Sequence, residues 1–310
     1  MDTHTLSKAR RKKNDEFYTQ LHYIEEELQF YREHFCGKVV YLNCDDYRHS
    51  QFVKYFTDNF HSLGLRKLIA TSYGHSELAQ QHLTDLSRFG ETYKFTKTNK
   101  NTKITHMIDD GDFRSAECIE ILKSADIVVT NPPFSLFREF LAQMFEYDKK
   151  FVLIGGVSAL SYIDVFALLQ QGKMWLGHTQ LNRNMLFDVP ESRIVELLQE
   201  PEGSKYKVVD GVVKGRAAAL WVTNLYNKRE YAEVPMTNEY SPDEYPVYDN
   251  YAAINVNKMS AIPKDYDGLM GVPVTYFVKH NPDQFEIVDM LRAPTIDGRK
   301  LFRRIIIRAL

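Results

Sequence analysis

The 310-residue sequence predicts an α/β protein whose first 175 residues form a doubly wound, mostly parallel sheet. Three observations support this prediction. Short apolar runs alternate with segments of helical periodicity, and the run at 38–43 is suited to a buried parallel strand. In residues 176–310 the helical periodicity fades and Tyr, Asn and Pro become frequent. That second region is expected to be less regular, although its late strands can return to complete the first sheet.

The apolar runs of the first region are predicted strands at 38–43, 67–70, 104–108, 126–130 and 151–154. Between and around them, helical spacing and capping residues predict helices at 15–34, 50–64, 75–88, 115–123, 135–147 and 163–171. Ser135 is the predicted N-cap of one helix, and Gly37 and Gly64 are expected to end two others. Parallel strands joined by helices require right-handed crossovers and bind ligands beyond their carboxyl ends.

The second region carries shorter runs with strand character. They are predicted strands at 185–189, 207–213, 219–223, 272–278 and 304–308.

Composition excludes several classes of protein. Hydrophobic residues make up 44% of the chain and charged residues 26%, so a disordered or fibrous chain is excluded. The three cysteines form no CxxC pair, which argues against a disulfide framework or a metal site. No stretch of 18 apolar residues and no secretory signal is found, so a cytoplasmic protein without membrane association is expected.

Positive charge is concentrated in three places, although 39 basic and 41 acidic residues nearly cancel. Clusters of basic residues gain affinity for a polyanion by releasing its counterions, so contact with phosphates is predicted, against the alternative of solvated ends and loops. The clusters are Lys8, Arg10, Arg11, Lys12 and Lys13; Lys94, Lys97, Lys100 and Lys103; and Arg299, Lys300, Arg303, Arg304 and Arg308.

The sequence Asn131-Pro132-Pro133-Phe134 stands directly between a predicted strand and a predicted helix. Two consecutive prolines lack N–H donors, so this turn offers carbonyl oxygens. The Asn131 side-chain oxygen and the Pro132 carbonyl can accept both hydrogens of an exocyclic amine, which frees the nitrogen lone pair. Phe134 can stack on the ring that bears the amine. A Pro-rich turn without function is the alternative.

This motif resembles the catalytic signature of S-adenosylmethionine-dependent amino-methyltransferases, which have a Rossmann-like sheet. From about residue 10 to the C-terminus the chain is similar to the EcoRI-type adenine-specific DNA methyltransferases. The matching stretches include NDEFYTQ (14–20), KVVYLNCDD (38–46), DIVVTNPPFSLFREFL (126–141), YDNYAAINVNK (248–258) and GVPVTYF (271–277). The resemblance implies N6 methylation of an adenine that is flipped out of double-stranded DNA.

The resemblance also implies a cofactor site for S-adenosylmethionine. Phe17, Tyr18 and Thr19 match an element that holds the methionine end of the cofactor. Asn43, Asp45 and Asp46 follow the first strand, where many related enzymes have a glycine-rich turn; the alternative is that the aspartates cap the next helix.

Other parts of the expected cofactor and base sites are less sharply defined. Asp112 and Phe113 match the contact with the adenine ring of the cofactor, with Asp109 and Asp110 as competitors. The resemblance also implies an acid after the second strand that binds the ribose hydroxyls of the cofactor. No acid directly follows this strand, and Glu77 is the nearest carboxylate. Trp221 is either a core residue or a second stacking face for the flipped base.

Further implications concern partners and competing functions. The basic arm at residues 8–13 is expected to bind DNA without sequence preference, and the protein is expected to be a monomer. A restriction endonuclease can act as a functional partner without a stable complex. The competing functions are methylation of cytosine N4, RNA guanine or protein glutamine, and a catalytically silent DNA-binding relative.

Overall fold

The computed structural model describes residues 18–74, 92–179, 184–189, 191–226, 233–278 and 280–310. The predicted helix at 75–88 lies outside these ranges. The α-helices are α1 (Leu21–Leu28), α2 (Gln51–Asp58), α3 (Ala116–Ser124), α4 (Phe137–Glu146), α5 (Ile163–Gln170) and α6 (Glu191–Leu197). Short 3-10 helices occupy Gln29–Phe35, Phe134–Leu136, Val157–Ser161, Met259–Ala261 and Val274–Val278. None of the helices within the described ranges has the length and apolar character needed to cross a membrane.

The strands are, in chain order, β1 (Tyr18–Thr19), β2 (Val39–Leu42), β3 (Lys67–Ala70), β4 (Tyr93–Thr98), β5 (Thr102–His106), β6 (Ile127–Thr130), β7 (Lys150–Gly156), β8 (Trp175–Leu176), β9 (Met185–Asp188), β10 (Tyr206–Val209), β11 (Val212–Ala217), β12 (Ala219–Thr223), β13 (Val247–Tyr248), β14 (Tyr251–Asn255), β15 (Met270–Pro273), β16 (Phe285–Leu291), β17 (Thr295–Ile296), β18 (Arg299–Lys300) and β19 (Arg304–Ala309).

The chain forms two compact units that do not coincide with two consecutive halves. The described parts of 1–159 and 177–227 make up the first unit, and those of 160–176 and 228–310 make up the second. The division predicted near residue 175 differs from these units. The chain contributes residues 160–176 to the second unit and then returns to the first unit at residue 177.

The main sheet of the first unit is mixed rather than mostly parallel. Its strands lie in the order β5-β4-β3-β2-β6-β7-β12. The four strands from β3 to β7 run parallel, whereas the β4–β5 hairpin and β12 pair antiparallel. The strand predicted at 104–108 is therefore an antiparallel edge strand that ends at His106. Its neighbour β4 coincides with part of the Thr-rich lysine cluster and was not predicted.

Two lysines of that cluster contact the body of the first unit. Lys94 forms an ion pair with Glu117 at 3.5 Å, and the Lys97 ammonium lies 5.3 Å from the centre of the Phe60 ring. Neither side chain is a freely solvated charge.

Trp221, in β12, belongs to the hydrophobic core of the first unit. Its side chain is fully buried and packs edge-on against Phe52, with 5.9 Å between ring centres. The core also includes Tyr31 and Phe35 from the N-terminal helices and Leu42 from β2. A fully buried ring cannot offer a face to a base, so the core interpretation of Trp221 is correct.

Glu27 is a buried acid that joins α1 to a much later segment of the chain. Its carboxylate accepts hydrogen bonds from the backbone N–H groups of His178 and Thr179, both at 2.8 Å, and from the Tyr31 hydroxyl at 2.8 Å. Burial raises the pKa of Glu27, although these hydrogen bonds act to lower it. Gly177 is required beside the carboxylate, since a Cβ there would lie 2.2 Å from Glu27 Oε1.

A smaller antiparallel sheet of the first unit has the order β1-β9-β11-β10. The single strand predicted at 207–213 is instead the hairpin β10–β11. Asp210 and Gly211 form its turn with φ of 50° and 77°. An Asp-Gly pair with two positive φ angles is the usual sequence of a two-residue hairpin turn, which explains the break.

The second unit contains a five-stranded sheet in the order β13-β14-β15-β19-β16. The predicted strand at 304–308 is confirmed as β19, and its residues Ile305–Ile307 are fully buried. The strand predicted at 272–278 ends at Pro273, where the chain turns into a 3-10 helix. Proline cannot donate a ladder hydrogen bond, which is consistent with its place at the strand end.

Candidate active site

A cleft of about 1030 Å³, its open mouth included, lies in the first unit. Residues that follow β2, β3 and β6 line it, together with β1 and the turn at 111–114. Because β3, β2 and β6 are parallel neighbours, the segments that follow them meet at one edge of the sheet. The fold therefore brings together the turns in which the sequence placed the cofactor and catalytic residues.

Asp45 is buried in the turn after β2 and connects this turn to the end of β6. Its carboxylate accepts hydrogen bonds from Ser50 Oγ and Thr130 Oγ1, both at 2.6 Å. Burial raises the pKa of Asp45 to about 6, although the two hydroxyl hydrogen bonds act to lower it. Thr130 directly precedes Asn131, so Asp45 fixes the strand end from which the motif at 131–134 starts.

Asp46 has a different environment, although it is the next residue. Its Oδ1 accepts hydrogen bonds from the Nε and the backbone N–H of Arg48, both at 2.9 Å. Burial alone would raise the pKa of Asp46, but the hydrogen bonds and charge of Arg48 lower it below its usual value. Ser50, and not either aspartate, caps α2 by accepting from the N–H of Phe52. The capping alternative for the aspartates is therefore wrong.

Two polar side chains that line the cleft are buried without hydrogen-bond partners among the described residues. Both amide atoms of Asn43 lack a partner, and so does the hydroxyl of Thr19. Buried polar groups in proteins are nearly always satisfied, so these atoms are suited to hold a polar ligand. Tyr18 and Thr19, in β1, pair with Asp188 and Phe187 of β9.

The turns after β3 and β5 approach each other closely at Gly111. This glycine has a φ of 77°, and a Cβ built on it would lie only 2.1 Å from the Ser72 carbonyl oxygen. The N–H of Gly74 also donates to the Asp110 carbonyl at 2.8 Å. The role of Gly111 was not predicted, because the contact joins segments far apart in the sequence.

Of the three candidate aspartates near Gly111, only Asp112 lines the cleft. Asp109 accepts from the N–H of Glu117, and Asp110 accepts from the N–H of Asp112. Asp112 is held in a two-point ion pair by Arg114, with Nε–Oδ1 and Nη2–Oδ2 distances of 2.8 and 2.7 Å. Oδ1 also accepts a hydrogen bond from the backbone N–H of Arg114 at 2.9 Å, so the backbone and the side chain of Arg114 together fix this carboxylate.

Phe113 also lines the cleft, and its buried ring packs against Phe140 at 5.1 Å between ring centres. This contact fixes an aromatic surface beside Asp112.

The motif from Asn131 to Phe134 lies directly after β6. Asn131 and Pro133 line the cleft, and Asn131 Oδ1 has less than 1 Å² of exposed surface. The Pro133 carbonyl accepts from the N–H of Leu136 at 2.9 Å, so its acceptor capacity is partly used inside the turn. Phe134 is half-buried against the core, and a Cβ on Gly156 would lie 3.6 Å from its ring.

The helix after the motif begins later than predicted. Phe134–Leu136 form a 3-10 turn, and α4 starts at Phe137 with Leu136 at the N-cap position. The expectation that Ser135 caps this helix is wrong, because the 3-10 turn carries Ser135 before the α-helix begins. Gly155 permits this packing, since a Cβ there would lie 2.7 Å from the Phe137 ring.

Several predicted site residues lie outside the described residues. They are Glu77, Phe17, Lys8, Arg10, Arg11, Lys12 and Lys13.

Comparison with known proteins gives a consistent result. The model of the family "Adenine-specific methyltransferase EcoRI" matches residues 5–307. The chain is 44% identical to the Type II methyltransferase M.EcoRI of Escherichia coli, covering 98% of this chain and 95% of the relative. It is 38% identical to M.MgeORF184P of Mycoplasma genitalium and 37% to M.MpnI of Mycoplasma pneumoniae, both Type II methyltransferases, over 96% of this chain and 90% and 89% of theirs. No solved structure matches. The chain belongs to the family of EcoRI-type adenine-specific methyltransferases.

Proposed function

We propose that this chain transfers the methyl group of S-adenosylmethionine to N6 of an adenine flipped out of double-stranded DNA. Family membership makes it a DNA adenine methyltransferase of the restriction–modification type. The proposal adds the donor, the target atom and the residues that act. The observation that carries it is the position of Asn131, at the carboxyl end of β6, in the same cleft as Asn43 and Asp112.

The residues that line the cleft fit the proposed cofactor. The unpartnered amide of Asn43 and hydroxyl of Thr19 match the ammonium and carboxylate groups of its methionine part. Phe113 and Asp112 suit an adenine ring, the first by packing and the second by accepting a hydrogen bond from an amine. S-adenosylmethionine, when bound, would supply an electrophilic methyl group: the N6–carbon bond would form as the methyl–sulfur bond breaks, the neutral thioether would leave, and the methylated amine would release one proton to solvent.

In the proposed mechanism, the chain aligns the target amine and needs no acid–base pair. Asn131 Oδ1 and the Pro132 carbonyl accept the two hydrogens of the adenine amine, which directs its lone pair towards the methyl donor. Because the Pro133 carbonyl already accepts from Leu136, the Pro132 carbonyl is the better candidate. Phe134 stacks on the flipped base. Asp45 positions the motif through Thr130.

The architecture supports further proposals about organisation. The four parallel strands, with sites beyond their carboxyl ends, support a Rossmann-like methyltransferase sheet in the first unit. The second unit is proposed to belong to the target-recognition region, which contacts duplex DNA. We also propose a monomer that is paired in function, but not in a stable complex, with a restriction endonuclease.

The test separates catalysis from cofactor binding with two asparagine variants. N131A should lose most methyl transfer to DNA while its affinity for S-adenosylmethionine, measured by calorimetry, stays near that of the wild type. N131D keeps an acceptor oxygen and should retain more activity than N131A. N43A should weaken cofactor affinity instead, because it removes both buried amide atoms.

Near-wild-type turnover of N131A would refute the assigned role of Asn131. A wild-type protein that binds no S-adenosylmethionine would identify the chain as a catalytically silent relative. Long-read sequencing of DNA from a host that expresses the protein would report the modified base and its sequence context together.

A further inference from the structure

A short hairpin on the second unit presents basic side chains from an ordered backbone. Strands β17 and β18 pair through Thr295 and Lys300 and through Ile296 and Arg299. Between them, Asp297 and Gly298 form a two-residue turn with φ of 50° and 72°. This Asp-Gly turn is the type that matches the twist of two antiparallel strands.

The neighbouring residue Asp249 fixes this turn. Its carboxylate accepts hydrogen bonds from the N–H groups of Asp297 and Gly298 at 3.1 and 2.9 Å, and these bonds help to lower the pKa of Asp249. Its own N–H donates to the Thr295 carbonyl at 2.8 Å, and Asn250 Nδ2 donates to the Ala293 carbonyl at 2.8 Å. The hairpin is therefore held at its base and at its tip.

The basic residues of this segment have no acidic partner among the residues that the structure describes. Arg299 and Lys300 are exposed and Arg303 is half-exposed, and none of them forms an ion pair with another residue in the described part of the chain. Two arginines further along differ from them. Arg304 is buried with its Nε donating to Asn255 Oδ1 at 3.2 Å, and Arg308 forms an ion pair with Glu286 at 2.6 Å.

An exposed aromatic ring lies within this basic segment. Phe302 is 70% exposed, and the Arg303 guanidinium lies 5.3 Å from the centre of its ring. A large apolar ring among unpaired cations suits a partner that is both anionic and apolar at its surface. The sugars and phosphates of a nucleic acid have this combination.

We infer that the basic hairpin, residues 295–303, contacts the sugar–phosphate backbone of the substrate duplex. Arg299, Lys300 and Arg303 bind phosphates, and Phe302 packs against a sugar or base. The inference rests on the proposed function for the DNA substrate, and it assigns a contact surface to the second unit. Phosphate contacts hold a protein in register on the duplex without reading its sequence.

The test compares an R299Q/K300Q variant with R308Q. The first variant removes two unpaired charges, and the second removes one charge that Glu286 already neutralises. Binding to a fluorescent duplex is measured by anisotropy from about 50 to 200 mM salt. Losing two phosphate contacts should reduce the slope of log affinity against log salt by about 2, and each contact is worth up to about tenfold in affinity near 100 mM salt.

R308Q should keep both the affinity and the salt slope of the wild type. F302A should weaken binding with an unchanged salt slope, because it removes no charge. Binding of S-adenosylmethionine, measured by calorimetry, verifies that the first unit of each variant is folded. Circular dichroism verifies that each variant keeps the secondary structure of the whole protein. Wild-type affinity and slope in R299Q/K300Q, or equal losses in R299Q/K300Q and R308Q, would overturn the inference. Failure of the wild-type protein to bind DNA would instead contradict the proposed function.

Discussion

Replacing Asp45 with asparagine should change how the stability of the protein depends on pH. The pKa of about 6 in the folded protein lies above the usual value of 3.8. Between these values the folded chain holds a proton that the unfolded chain has released, so the free energy of unfolding falls as the pH rises through this range. At 1.36 kcal/mol for each pH unit, this group lowers the stability by about 3 kcal/mol.

D45N cannot ionise at this position and should lack that contribution. The difference in free energy of unfolding, D45N minus wild type, should therefore rise by up to about 3 kcal/mol between about pH 4 and pH 7. Urea unfolding followed by fluorescence, without cofactor, measures this difference at each pH. A difference that stays constant over the whole range would refute the raised pKa of Asp45.

A matched pair of threonine variants tests the physical cause. T130V removes the hydroxyl that donates to Asp45, so the pKa of Asp45 should rise further and the loss of stability should extend to higher pH. T57V also removes a buried hydroxyl, but one without a partner among the described residues. It should leave the shape of the pH profile unchanged. Identical profiles for T130V and T57V would show that the Thr130 hydroxyl does not stabilise the carboxylate.

Three further predictions concern the cleft and the arm. G111A places a Cβ against the Ser72 carbonyl oxygen and should lower the affinity for the cofactor, measured by calorimetry, at least about tenfold. The control G211A has the same φ of 77° but no atom within 4 Å of the added Cβ, and it should lower the free energy of unfolding by only about 1–3 kcal/mol. F134A should weaken catalysis by roughly 1–3 kcal/mol, and F134Y by less; equal rates would contradict stacking. Deleting residues 1–13 should weaken specific and non-specific DNA binding by similar factors, while the methylated sequence stays the same. The slope of log affinity against log salt should fall by about one for each lost phosphate contact. An unchanged slope would show that residues 1–13 are a solvated end that does not contact DNA.

The sequence predicted the features whose signal is local. Strands β2 and β6 were predicted because strands buried on both faces are continuously apolar. The motif at Asn131 was placed correctly at a strand end, since prolines and a following helix define such a turn.

The unpredicted features depend on distant partners. The hydrogen bond between Asp45 and Thr130 joins residues 85 positions apart, and the close approach of Gly111 to Ser72 depends on how two loops meet. Strand β4 was missed because its lysines and threonines suggested a solvated loop. By contrast, the Asp210–Gly211 turn is visible in the sequence and could have been predicted from its two residues alone.

The interleaved order of the two units has a consequence for folding on the ribosome. Glu27 acquires its N–H donors only when Gly177–Thr179 have emerged, and the outer edge of β7 remains uncovered until β12 follows. At about 5–20 residues per second, the roughly 50 residues after position 175 take about 2–10 s to synthesise. During that interval the nascent chain has an open strand edge that another chain can pair with. A chain truncated near residue 175 would retain this edge permanently and should aggregate rather than fold as an independent methyltransferase core.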